Sequence, residues 1–165
     1  MQNQPTFKFE FVALMAALMS LVALSIDALL PALPDVGNAL GVTNPSDNQL
    51  LITMIFLGLG FGQLIFGPLS DSFGRKNIVY LGFAVFVIAS IICVTTKSFE
   101  MMIFGRILQG IGLSSPRTIA IAMVRDSYSG DYMAKVLSII VAFFILVPTI
   151  APAFGQFFLN IADWK

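Results

Sequence analysis

The sequence predicts an all-α, multi-pass membrane protein of about five transmembrane helices. Three observations predict it. Hydrophobic residues make up 58% of the chain and charged residues 11%, against about a quarter charged in a soluble domain. The apolar residues fall into five runs long enough to cross a hydrocarbon core of about 30 Å, with short polar turns between them. The cations favour alternate turns: Lys8, Arg75, Lys76, Arg125 and Lys135 fall on one side, and only Lys97 and Lys165 on the other. Positive charge beside a span favours the cytoplasm, so the first group is assigned there, with the N-terminus inside.

Composition also excludes function classes. A net charge of zero argues against a nucleic-acid partner. The chain has no His, which removes the commonest metal ligand and the usual proton shuttle near neutral pH. Proton coupling would have to use Asp or Glu. No phosphate loop, metal cluster or nucleophile–base pair is present, so no enzyme, no metal site and no cofactor are expected. Gly58-Leu59-Gly60-Phe61-Gly62 lies inside an apolar run and is not the strand–helix turn of a nucleotide fingerprint. The lone Cys93 cannot form an intramolecular disulfide and reads as a small core or lipid-facing residue.

In chain order, residues 1–10 form a polar arm, followed by a single bundle over 11–165. The first span covers about 11–33. Glu10 at its start, Asp27 within it and further spans beyond it favour an uncleaved helix over a signal peptide. Pro31 and Pro34 are expected to end it, and 35–47 reads as an outer loop without Lys or Arg. The second span, about 48–66, carries Gly58 and Gly62, a small-xxx-small pair that lets another helix approach.

The stretch from Gly67 to Lys76 then reads as a loop. Gly67 and Pro68 weaken the end of the second span, Gly74 permits a tight reversal, and Asp71 can cap the next turn or pair with Arg75. The third span, about 78–96, is nearly featureless. Residues 97–100 make an outer turn. The fourth span, about 101–124, carries Arg106, Gln109 and Arg117, with a kink expected at Pro116. Residues 125–135 form the second cytoplasmic loop. The fifth span, about 136–160, holds Pro148, Pro152 and Gly155, and Trp164 with Lys165 reads as an interfacial anchor.

Charges inside a span cost several kcal/mol and usually face a cavity or a partner. Asp27, Arg106 and Arg117 qualify. At 1.5 Å per residue, Asp27 lies roughly 9 Å below the outer end of its span and Arg106 roughly 8 Å below the outer end of its own. The two therefore sit at similar depth. A carboxylate there is pulled both ways, since a facing Arg favours its charged form and burial its neutral one. Asp27 is read as the proton-titrating residue, with Arg106 modulating it. The alternatives are a static ion pair between two helices or an Asp snorkelling to the outer headgroups. Arg117 can reach substrate, snorkel inward or pair with Asp126. Gln63, Gln109, Arg117 and Gln156 are the candidate substrate-cavity residues.

Several of these stretches resemble one family. Gly67, Leu69, Asp71, Gly74, Arg75 and Lys76 match the G-x-L-x-D-x-x-G-R-K/R signature between the second and third helices of the major facilitator superfamily. Arg106-Ile107-Leu108-Gln109-Gly110 resembles the R-x-x-Q-G signature in the fourth helix of its drug:proton antiporters, which implies a role in proton transfer. Ser25-Ile26-Asp27 and Leu30-Pro31-Ala32-Leu33-Pro34 look like the first-helix acidic motif of that group. Ala151-Pro152-Ala153-Phe154-Gly155-Gln156 is similar to the antiporter motif G-P-x-x-G-G and departs from it at Ala151 and Gln156. Val124-Arg125-Asp126, with Tyr128-Ser129-Gly130, resembles a loop of the bicyclomycin/sulfonamide-resistance branch.

The resemblance implies the N-terminal six-helix bundle of a major facilitator fold, in a bacterial inner membrane. It implies a proton-coupled efflux transporter that exports small hydrophobic compounds in exchange for protons. That fold has two six-helix halves with the substrate between them. Five spans make one complete three-helix repeat and part of a second, so transport by this chain alone is not expected. Its partners would be the lipid bilayer, substrate and protons, and a completing piece: a C-terminal half, a second copy or another membrane subunit. A short membrane subunit or scaffold/assembly component of major facilitator origin without autonomous transport, and a nutrient facilitator or symporter, are the competing readings.

Overall fold

The structure is a computed structural model that describes residues 8–42 and 44–159. Among these residues every regular element is a helix, and there is no strand. Helix α1 spans Phe9–Asp27, α2 Leu33–Ala39, α3 Asn48–Phe73, α4 Arg75–Thr95, α5 Phe99–Ser127 and α6 Gly130–Leu159. Single 3-10 turns at Leu30–Ala32 and Pro45–Asp47 precede α2 and α3. Five segments are long and apolar enough to cross a membrane, with α1 and α2 counting as one. The residues beyond Leu159, including the proposed Trp164–Lys165 anchor, lie outside the described residues, as does most of the N-terminal arm.

The helices run past the apolar runs that mark them in the sequence. The stretch expected as a loop, from Gly67 to Lys76, is helical except at Gly74. Helix α3 continues through Pro68 for more than a turn. A proline is tolerated in a membrane helix where the surroundings accommodate the missing backbone bond; beyond it Ser70 Oγ donates to the Gly67 carbonyl at 2.8 Å. Gly74 alone makes the reversal, with φ of 87°, a conformation only glycine adopts freely. The outer stretch behaves similarly. Pro31 and Pro34 do not terminate helix; they sit in the first turns of the 3-10 turn and of α2, where a missing N–H costs nothing. The chain breaks instead just after Asp27, at Ala28 and Leu29. Between α5 and α6 only Tyr128 and Ser129 remain outside helix.

Helix α5 is the centre and touches α1, α3, α4 and α6. It has few large side chains on its buried faces, so neighbouring backbones come close. A Cβ at Gly110 would strike the Ile55 carbonyl of α3, and one at Gly58 the Ile107 carbonyl of α5. On the opposite face Gly112 lies against Phe86 of α4, and Ser115 Oγ donates to the Ile78 carbonyl at 2.7 Å. Helix α4, nearly featureless in sequence, thus turns Ile78, Gly82, Ala89 and Cys93 inward onto α5. Cys93 is a buried core residue.

Two apolar layers fix the ends of the bundle. Val12, Met15, Val124, Tyr128 and Val136 cluster at one end, which joins the start of α1, the end of α5 and the start of α6. Val36, Leu51, Cys93 and Met102 cluster at the other. An ion pair ties the α3–α4 reversal to the first of these ends (Arg75 Nε to Asp126 Oδ2, 3.2 Å). Lys8, Arg75, Lys76, Arg125 and Lys135 therefore belong to one end of the molecule, as their order in the sequence predicts.

Candidate functional site

Two polar regions interrupt the apolar bundle. One is buried in the middle of α5. Arg106 is 7% exposed and Gln109 8%, and they lie one helical turn apart on the same face. Arg106 Nη1 donates to Gln109 Oε1 at 2.8 Å. Gln109 Nε2 donates to Ser90 Oγ of α4 at 2.8 Å, and Ser90 Oγ donates to the Phe86 carbonyl at 2.8 Å. Arg106 Nε is buried with no hydrogen-bond partner among the described residues.

Asp27 is the last residue of α1 and is half-buried. Its neighbour Ile26 packs in the layer of Ile55, Leu59 and Leu113, the layer in which Gly110 meets Ile55. Arg106 lies one turn along α5 from Gly110. The two charges therefore occupy neighbouring levels, but they do not form an ion pair. The Asp27 side chain has no hydrogen-bond or ion-pair partner among the described residues. The static ion pair weighed from the sequence is absent from this conformation. The break after Asp27 lies against α6, because a Cβ at Gly155 would strike the Ala28 carbonyl and crowd Pro31. Pro152 and Gly155 thus belong to the segment that seats the end of α1, while Pro148 and Gln156 are exposed.

The second polar region is an open cleft of about 710 Å³ at the Arg75 end, between α3 and α5. Gln63, Gly67, Asp71, Arg75, Arg117 and Asp126 help to line it. Arg75 is its hub. It reaches Asp71 Oδ1 at 2.7 Å, Asp126 Oδ2 at 3.2 Å and Ser70 Oγ. The Asp71–Arg75 pairing is the i, i+4 contact that the sequence allows. Asp126, considered as a partner for Arg117, is held by Arg75 instead. The Arg117 guanidinium lies 5.5 Å from the ring centroid of Phe144 in α6, a cation–π distance. Lys76 stands on the outer surface, with Nζ 5.8 Å from the Tyr80 ring.

The predicted cavity residues therefore separate. Gln63 and Arg117 share the cleft, Gln109 is locked in the buried chain with Arg106, and Gln156 lies apart on α6. Sequence reasoning missed Ser90, Ser70 and Phe144 as partners. A serine or phenylalanine in an apolar run carries no local sign of what it will meet across a helix interface. The described residues hold no cluster of three or more potential metal-ligating His, Cys, Asp or Glu side chains.

Comparison with known proteins gives a consistent result. Residues 15–165 match the family model described as Major Facilitator Superfamily. The chain is 32% identical over 162 residues to a bicyclomycin resistance protein homolog of Haemophilus influenzae, covering 98% of this chain and 40% of that protein. It is 38% identical over 146 residues to a chloramphenicol resistance protein of Pseudomonas aeruginosa, covering 88% of this chain and 35% of that one. It is 30% identical over 156 residues to multidrug resistance protein MdtL of Klebsiella pneumoniae, covering 94% and 40%. The chain thus spans about 40% of the length of the curated relatives it matches.

Proposed function

The chain belongs to the major facilitator superfamily, and from that premise we propose that it is the N-terminal part of a proton-coupled multidrug efflux transporter of the bacterial inner membrane. In this reading small hydrophobic compounds leave the cell in exchange for protons, and the N-terminus is cytoplasmic. Asp27 carries the proton, and Arg106 modulates its release. Gln63 and Arg117 contribute to the cytoplasmic mouth of the substrate path. The rest of the cavity wall comes from a further membrane part, because an alternating cavity needs two walls.

The observation that carries the proposal is the relation between Asp27 and Arg106. An acid in the first membrane segment stands without an ion-pair partner at a level neighbouring that of a buried cation, and that cation is anchored on a neutral amide. A carboxylate locked in an ion pair would resist protonation, whereas an unpaired one can exchange its proton as helices shift. The break after Asp27 is seated on Gly155 of α6, which couples the end of α1 to that helix. The relatives' names support drug export as the direction. Protons also suit a chain without His, since a carboxylate can do the work.

The test uses inverted membrane vesicles from cells that carry the complete gene. The vesicle lumen is acidified, and chloramphenicol is added as probe. Export in exchange for protons releases protons from the lumen when the compound arrives. A lumen pH that does not respond to any of a panel of small hydrophobic compounds contradicts the proposal.

A further inference from the structure

Gln109 bridges two helices, and the direction of its amide is determined by its partners. An arginine offers only donors, so the end of the amide that faces Arg106 must be the oxygen. Ser90 has a single hydroxyl proton, and that proton goes to the Phe86 carbonyl at 2.8 Å. The Ser90 oxygen is left to accept, so it can meet only the NH2 end of Gln109. The two constraints agree and leave one orientation: Phe86 carbonyl, Ser90 hydroxyl, Gln109 amide, Arg106 guanidinium. Helix α4 thereby reaches through α5's side chain to hold a charge.

We infer that Ser90 is a positioning residue of the proton-coupling site, fixing the Gln109 amide so that Arg106 stays anchored on α5 instead of closing on Asp27. The inference rests on the proposed proton coupling by Asp27 and Arg106. Gln109 is the only side chain that accepts a hydrogen bond from Arg106 among the described residues, and Arg106 Nε has no partner there. A guanidinium held at one point is released by a change at that point. Without Ser90 the amide loses its tie to α4 and is free to swing about its side chain, away from the guanidinium. The cation then leaves Gln109, and the acid at neighbouring depth is Asp27. Ser90 is half-buried and does not line the cleft, and the one side chain it hydrogen-bonds among the described residues is Gln109.

The experiment measures proton release driven by chloramphenicol, per inserted transporter, in vesicles containing the complete protein. Ser90→Ala lowers coupled release about five- to tenfold, the effect of losing one buried orienting hydrogen bond. Ser90→Thr, which keeps the hydroxyl, restores release to within about twofold of wild type. Ser90→Ala combined with Gln109→Ala is no worse than Gln109→Ala, because both act on one relay. Wild-type release in Ser90→Ala overturns the inference. So does equal impairment of Ser90→Ala and Ser90→Thr, which would mark a packing role, and so does additivity in the double variant. Asp27→Asn runs in parallel. If it keeps wild-type release, the proton-coupling reading fails and the Ser90 inference with it. If it is inactive while Ser90→Ala is normal, only the Ser90 inference fails.

Discussion

Arg106 donates to Gln109 at 2.8 Å across one turn of α5, and Asp27 makes no ion pair with it. The guanidinium of the buried membrane cation is taken by a neutral amide on its own helix, and the acid of the first membrane segment has no ion-pair partner among the described residues.

The crossing of α3 and α5 predicts a contrast between two glycines. Gly110→Ala drives a Cβ into the Ile55 carbonyl, which is rigid helix backbone. Overpacking of that kind costs about 1–3 kcal/mol, and thermal unfolding in detergent should occur at lower temperature. Gly60 has nothing within 4 Å of its Cβ position, so Gly60→Ala should leave the unfolding temperature unchanged. Equal effects would contradict the crossing as described.

The Arg75 hub predicts a functional loss with little change in stability. Its side chain is 28% exposed and that of Asp126 57%, so the pair is screened by water and worth less than about 1 kcal/mol. Arg75→Lys keeps the charge but offers a single ammonium in place of the guanidinium fork that meets Asp71, Asp126 and Ser70 together. We expect normal insertion and melting but slower transport. A large drop in melting temperature would show that the hub is structural.

The shared end of the cations predicts an orientation, with that end in the cytoplasm. A cysteine at Ser72, on the Arg75 end, should react with an impermeant maleimide only from the cytoplasmic side. One at Asn44, on the opposite end, should react only from outside. Cys93 is 4% exposed and gives little background. The reverse pattern would invert the topology.

Much of this fold could be read from the sequence because a membrane enforces long apolar helices, and the glycine spacing in α3 pointed to a close helix approach. The turn at Gly74 and the Asp71–Arg75 pair were local in the chain and equally accessible. The helical continuation through Pro68 was not, because Gly and Pro after an apolar run read as a break, while a membrane helix can carry a proline in its interior. Likewise Pro31 and Pro34 look like terminators until the chain shows where the break falls, just before them. The site was legible in its charges but not in its pairings. Arg75 holds Asp126 from 51 positions away, and Gln109 meets Ser90 from 19; such contacts depend on how α4 lies on α5. Depth alone brought Asp27 and Arg106 to neighbouring levels, and it could not reveal that Gln109 would take the guanidinium.

The central claim is that Asp27 carries the coupled proton, and Asp27→Asn in the complete protein tests it most directly. Chloramphenicol-driven proton release is measured in acid-loaded inverted vesicles, alongside exchange of labelled for unlabelled chloramphenicol, which needs no net proton movement. We expect proton release to be abolished while insertion and exchange persist. Proton release at the wild-type rate would contradict it and remove Asp27 from the mechanism.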